Sequence, residues 1–196
     1  MAHDARLEFD AESHTYRYEG VVIPSVTQIL GAVFPDLYGA VPPAILARKA
    51  ALGVAVHTAV ELHLVGALEG YDLHPDTVPY IESFKRWALV NKVEPLELEC
   101  RFYSRLGFAG TFDFLGTVNG EPLLLDWKTT AEPKRTHSIQ TAGYSIGYSP
   151  RGQFRRGALY LKASGAPAEL IRHANDGDIA DWMAVLRVFN LKEKMQ

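Results

Sequence analysis

Residues Gly110 to Thr130 read GTFDFLGTVNGEPLLLDWKTT, with Asn119-Gly120 at their middle. Both residues of that dipeptide tolerate positive φ, so the flanking runs, rich in β-branched and aromatic residues, predict a hairpin closed by a two-residue type I′ turn. The register follows from the turn. Val118 faces Glu121, and equal steps outward bring Asp113 opposite Asp126. Lys128 lies two residues beyond Asp126 and shares its face, whereas Trp127 points to the other.

Two carboxylates opposed across a ladder, with Cβ atoms roughly 5 Å apart, repel each other and destabilise the sheet. A hard divalent cation offsets the repulsion, because Mg²⁺ is typically held by one or two carboxylates together with phosphate oxygens. A lysine beside the pair stabilises the anionic forms and can hold a water or a phosphate oxygen. Asp113, followed on the next strand by Asp126-x-Lys128, is therefore a constellation for metal-assisted hydrolysis of a phosphodiester. A bare D…DxK pattern is short, and a solvent-facing aspartate with a surface ion pair produces it too. The register, and partners elsewhere in the chain, weigh against that plainer reading.

Upstream, apolar positions recur with helical spacing from about Ala44 to Val65, broken by Gly53. His57 and Glu61 are four apart and share a face, with Gly53 one turn before His57, where a missing side chain admits another backbone or a substrate. Alone, a histidine such as His57 is more often a packed, hydrogen-bonded residue than a ligand. Glu61 is a candidate support for it, since metal-bound imidazoles hydrogen-bond a carboxylate or carbonyl through their other nitrogen. A solvated helix residue is the plain alternative. On the strand predicted from Val93 to Arg105, Glu97 and Glu99 alternate onto one face. Downstream, Gln140 and Tyr144 are one helical turn apart; an amide and a phenol can bind phosphate oxygens or bases, and the ring can stack on an unpaired base.

These motifs, in this order, resemble the PD-(D/E)xK nuclease superfamily, specifically its RecB-like exonuclease branch, which includes Cas4-type, AddAB-type and mitochondrial genome maintenance exonucleases. The resemblance rests on G-x-x-x-H at Gly53 to His57, the hairpin Asp113, the D-W-K-T-T run from Asp126, and Q-x-x-x-Y at Gln140 and Tyr144. The resemblance implies a restriction-endonuclease-like core and a Mg²⁺- or Mn²⁺-dependent exonuclease acting on single-stranded DNA or DNA ends, in replication, recombination or repair. It further implies that Asp113, Asp126 and the Trp127 carbonyl bind the metal, that His57 and Glu99 complete its ligands, and that Lys128 orients or deprotonates the attacking water. Some members carry a four-cysteine iron–sulfur cluster. Cys100 is the only cysteine here, so neither that cluster nor an intramolecular disulfide can form within one chain.

Composition sets outer bounds. The chain of 196 residues has the length of one domain, and 47% hydrophobic with 22% charged residues is ordinary for a globular protein. The first residues, MAHDARLEFDAESH, lack the features of a signal peptide, and no apolar run approaches a bilayer span, so the expectation is a cytoplasmic protein of a bacterial or phage-infected cell without a membrane partner. A net charge of −3 does not advertise nucleic-acid binding. Basic residues nevertheless concentrate after the hairpin, at Lys134, Arg135, Arg151, Arg155, Arg156, Lys162 and Arg172. Of these, Lys134, Arg135, Arg155 and Arg156 are the candidate DNA-backbone contacts.

The remaining chain supplies an α/β layered fold, with helices around a central mixed sheet of about five strands. Strands are predicted at His14 to Tyr18 and Val21 to Ile23, and a capping box of Ser25 with Gln28 starts a helix. Phe34 to Pro43 reads as a loop, and further helices at Asp76 to Asn91, Ser138 to Gly147 and Asp178 to Lys194 flank strands at Gly157 to Ala163 and Glu169 to His173. No Walker A sequence is present, so ATP-driven unwinding would come from a helicase or recombination protein in trans. Two competing functions share the fold: a structure-specific endonuclease or junction resolvase, and a noncatalytic nucleic-acid-binding module.

Overall fold

The computed structural model describes residues 4–35, 41–149 and 154–195; Arg151 and the middle of the predicted 34–43 loop fall outside them. The hairpin is present as β5 (Phe108–Val118) and β6 (Glu121–Lys128), with Val118 opposite Glu121. Asn119 and Gly120 have φ of 54° and 78°, the left-handed pair a type I′ turn requires. Asn119 also clasps the preceding connection. Its N–H donates to the Lys92 carbonyl at 2.8 Å, its Oδ1 accepts from the Lys92 N–H at 2.8 Å, and its Nδ2 donates to Asn91 Oδ1 at 2.9 Å.

Around the hairpin a five-stranded mixed sheet runs in the order β4 (Val93–Ser104), β5, β6, β7 (Arg155–Tyr160) and β8 (Glu169–Arg172). Only β6 and β7 are parallel, joined by the crossover helix α4 (Arg135–Tyr148) that a parallel pair needs. Five helices are found among the described residues. On one face α1 (Val26–Val33), α4 and α5 (Gly177–Glu193) pack through Ile29, Ala142 and Trp182 onto Phe108, Phe112 and Leu124. On the other, α2 (Pro43–Leu64) and α3 (Val78–Ala88) pack through Val56, Val60 and Phe84 onto Phe114, Leu125 and Trp127. The fold is α/β with helices on both faces of the sheet.

Before the sheet, β2 (Thr15–Tyr18) and β3 (Val21–Ile23) form the expected hairpin, and β1 (Leu7–Asp10), which sequence reading missed, adds a third strand. The Ser25 capping box forms in both directions, Gln28 N–H to Ser25 Oγ at 3.1 Å and Ser25 N–H to Gln28 Oε1 at 2.8 Å. Among the described residues no helix is long and apolar enough to cross a membrane.

Candidate metal centre

The sheet breaks where the candidate site lies. Regular pairing of β5 with β6 stops at Phe114 opposite Leu125, one step short of Asp113 and Asp126. Pairing of β4 with β5 likewise skips Glu99 and Asp113 between Leu98–Phe114 and Cys100–Phe112. At that gap Glu99 has φ of 45°, a left-handed conformation that costs a non-glycine residue on the order of 1–2 kcal/mol. The alternation reverses with it. Phe112 and Phe114, two apart, should share a face, yet Phe112 packs in the α1/α4/α5 layer and Phe114 in the α2/α3 layer. This corrects two expectations: Asp113 and Asp126 are not ladder partners, and Glu97 does not accompany Glu99 but accepts from the Tyr148 hydroxyl of α4 at 2.8 Å. Irregularities of this kind re-aim side chains at functional sites.

Into the gap come side chains from three elements and backbone from a fourth. Asp113 Oδ2 accepts the Trp127 N–H at 2.5 Å, and its Oδ1 lies 2.9 Å from Nδ1 of His57, on α2. Ligand atoms of His57, Glu99 and Asp113 lie within 4.8 Å of one another. In an extended strand a residue's N–H and C=O leave by the same edge, so the Trp127 carbonyl also faces the β5 side. Its ring packs in the opposite layer against Phe84 and Phe114. Glu61, one turn beyond His57 and half-buried, adds its negative charge to the field at Glu99. The partner of His57 Nδ1 is Asp113. Gly53 faces open space, with no described atom within 4 Å of where its Cβ would stand.

The electrostatics are those of crowded carboxylates. Burial, then the charge of Asp113, drives the Glu99 carboxyl up to about 8 against the pull of His57. Burial also disfavours charge on His57, but Asp113, through its field and hydrogen bond, together with Asp126 and Glu99, outweighs it and raises the imidazole to about 9. Burial raises Asp126, opposed by Lys128 and reinforced by Asp113. Burial pushes Asp113 the same way, yet His57, the Trp127 N–H and Lys128 together hold it below the ordinary aspartate value. Glu99 Oε1 is buried with no hydrogen-bond partner. An oxygen-rich, partly imidazole donor set with an orphaned carboxylate oxygen suits a hard or borderline divalent cation.

Lys128 is clamped from two sides. Its Nζ lies 2.6 Å from Asp126 Oδ2 and donates to Gln140 Oε1 at 2.7 Å; Gln140 Nε2 in turn donates to the Tyr144 hydroxyl at 2.6 Å. Gln140 and Tyr144 are only 7% and 4% exposed. Their expected role changes accordingly: the Tyr144 ring sits against Phe102 inside the core, closed to stacking on a base, and the pair braces the lysine.

The expected DNA-backbone cations also divide. Arg156 is buried, 3.3 Å from Asp178 and donating to the Ser138 carbonyl at 3.0 Å, and this excludes it as a surface contact. Arg135 is paired with Asp178 and, at 2.6 Å, with Asp181. Arg155 is exposed but 2.8 Å from Glu121. Lys134 stands at the start of α4 and lines a cavity beside Lys128. Sequence reading missed two neighbours of that cavity, His137 and Tyr160. Tyr160 is the strand partner of Lys128, but no motif marks it; His137 follows the lysine-arginine pair within the first turn of α4.

Comparison with known proteins adds little. No protein-family model matches the chain, and no curated protein matches it. Among solved structures the protein is similar to one described as the crystal structure of SSO0001, at 14% identity and a TM-score of 0.44, over 88% of this chain and 75% of that one. At that level the likeness carries no argument about chemistry. What remains is the site itself: the carboxylates of Glu99 and Asp113 with the imidazole of His57, one Glu99 oxygen orphaned, and Asp126 holding Lys128 beside them.

Proposed function

We propose that the protein is a Mg²⁺- or Mn²⁺-dependent nuclease that hydrolyses phosphodiester bonds of DNA, acting as an exonuclease on single strands or strand ends. On this reading the sheet is a restriction-endonuclease-like core. The observation that carries the proposal is the unpartnered Glu99 oxygen beside Asp113 and His57, with Lys128 held next to Asp126. Carboxylates crowded in this way are costly for a binding module to keep without a cation.

The chain's own groups divide the work. Asp113, Asp126, Glu99, His57 and the Trp127 carbonyl are the groups that would hold the dication. When bound, such an ion supplies an acidified water and neutralises charge on the phosphate. Lys128, held by Asp126 and Gln140, places a positive charge beside the scissile phosphate and steadies the water that attacks it. Asp113 ties His57 to the start of the site while its other oxygen fixes the Trp127 peptide. Tyr144, kept neutral by burial, holds Gln140 and thereby the lysine.

Fluorescent single- and double-stranded DNA incubated with Mg²⁺, Mn²⁺ or EDTA tests this. Cleavage is expected with either metal and is lost in EDTA and in Asp126→Ala, while Lys128→Ala keeps metal affinity and loses most turnover. Undiminished cutting in EDTA or in Asp126→Ala would overturn the proposal. End-labelled linear DNA compared with a covalently closed circle separates end-dependent from internal cutting.

A further inference from the structure

Lys128 also lines a cavity of about 170 Å³ between α1 and the first turn of α4. Leu30 and Gly31 of α1 give it an apolar side; its polar wall includes Thr130, Lys134, Thr136, His137 and Gln140, and among the described residues no carboxylate lines it. The polar groups on that wall are hydroxyls, an imidazole and the ammonium groups of Lys128 and Lys134, a set that favours an anion over a cation. Gln140 has spent both ends of its amide on Lys128 and Tyr144.

His137 is what makes the cavity specific. The residue is buried, and its Nδ1 lies 2.7 Å from the Tyr160 hydroxyl and 3.4 Å from the Lys134 backbone nitrogen. A backbone N–H can only donate, so Nδ1 accepts, the Tyr160 hydroxyl donates to it, and the ring proton sits on Nε2. Burial, reinforced by Lys128, His173 and Lys134, holds the imidazole down at about 3, so the ring is neutral and keeps this tautomer. Among the described residues Nε2–H has no acceptor. With Nδ1 turned to Tyr160, that N–H is the edge left for the cavity.

We infer that this cavity is a phosphate subsite, in which His137, fixed by Tyr160 as the Nε2–H tautomer, donates to a phosphate of the nucleic-acid strand adjacent to the one cleaved. The strand as ligand rests on the nuclease reading; recognition of phosphate does not. Lys128 stands between the two positions, so one cation serves both. At about 170 Å³ the space is of the order of a phosphate with part of its sugar. The phosphate is either a terminal monoester or an internal diester, two sources with the same acceptor oxygens.

The test uses the full chain in EDTA, titrated with inorganic phosphate and with thymidine 3′,5′-bisphosphate while ¹⁵N-histidine NMR follows His137. Free protein should give the Nε2–H signature, and phosphate should shift it. His137→Phe should weaken phosphate about tenfold, the loss of one hydrogen bond to a charged group, and His137→Gln should recover most of it. Tyr160→Phe should release the second tautomer and weaken phosphate, a readout that serves even if His137→Phe fails to fold. An Nδ1–H tautomer in the free protein, or no shift at saturating phosphate, overturns the subsite. Phosphate binding without any cleavage would sink the nuclease and leave the subsite standing; cleavage without the shift does the reverse. With strands bearing phosphate or hydroxyl at each end, a KM raised in His137→Phe for phosphorylated ends alone identifies the monoester. A KM raised for all strands identifies the diester, and one raised for none overturns the inference.

Discussion

Glu99 is held in a left-handed conformation with its carboxyl raised to about 8, and His57 nearby is raised to about 9. At pH 7 both therefore carry a proton that a metal ligand cannot keep, and binding must release it. Calorimetric titration with Mn²⁺ in two buffers of different ionisation enthalpy should report about two protons released, falling to about one in Glu99→Gln. No proton release would contradict the assigned ligands. The sign for stability follows from the same shifts. Each group is raised above its unfolded value, so the metal-free protein is favoured at low pH and loses stability as pH rises through about 8 for Glu99 and about 9 for His57. Saturating Mn²⁺ should flatten that decline in thermal melts, and apparent metal affinity should climb over the same interval. A second expectation concerns Lys128. If Gln140 and Tyr144 brace it, Gln140→Ala should lower kcat about tenfold with little change in KM, whereas a direct contact with the strand would move KM.

The hairpin and its clasp belong to the next scale. Asn119→Ala removes the side chain that tolerates positive φ and two hydrogen bonds to the Asn91–Lys92 connection, so it should cost about 2 kcal/mol in chemical denaturation. Gly120→Ala, without those bonds, should cost about half as much. The Asn-Gly turn, the Ser25 capping box and the five helices were legible because each is encoded locally, by φ tolerance, by a side chain three residues away or by apolar spacing. The break at Glu99 and Asp113 was not. Period-two counting assumes an unbroken pleat, and nothing in LELECR marks the residue at which the faces exchange. Asp113, Asp126 and Lys128 were nonetheless found together, because a splayed hairpin still brings its two strands to one place. The inward turn of Gln140, Tyr144 and Arg156 was illegible for another reason: burial is decided by elements far away in sequence. Asp178 shows this on α5, where it neutralises Arg156 and Arg135 from across the α4 interface. Asp178→Ala leaves Arg156 buried and unpaired, and should cost about 3–5 kcal/mol in denaturant unfolding.

Over the whole molecule, five of the basic residues that follow the hairpin are answered by acids of the same fold. Arg155 and Arg172 share Glu121, Lys162 pairs with Glu169, and Arg135 and Arg156 converge on Asp178. With a net charge of −3 and these pairs made, the described part of this stretch meets a phosphate backbone with cations that already hold an acidic partner. On the function proposed above, grip on DNA should then come from the carboxylate centre through its metal and from the cavity at the start of α4, both local, rather than from this stretch of cations. Counterion release makes this measurable: each neutralised phosphate on a single strand contributes about −0.7 to the slope of log K against log salt. Fluorescence anisotropy of a labelled single strand with Ca²⁺ in place of Mg²⁺, from about 50 to 200 mM salt, should give a slope no steeper than about −2, matching at most some three phosphates. A slope near −5 would require a basic track outside the residues just described. The shallow value carries a functional consequence. A nuclease that holds so few phosphates lets go between cuts, so digestion of a long end-labelled strand should release products distributively, and a trap of unlabelled DNA added after the first turnover should stop it.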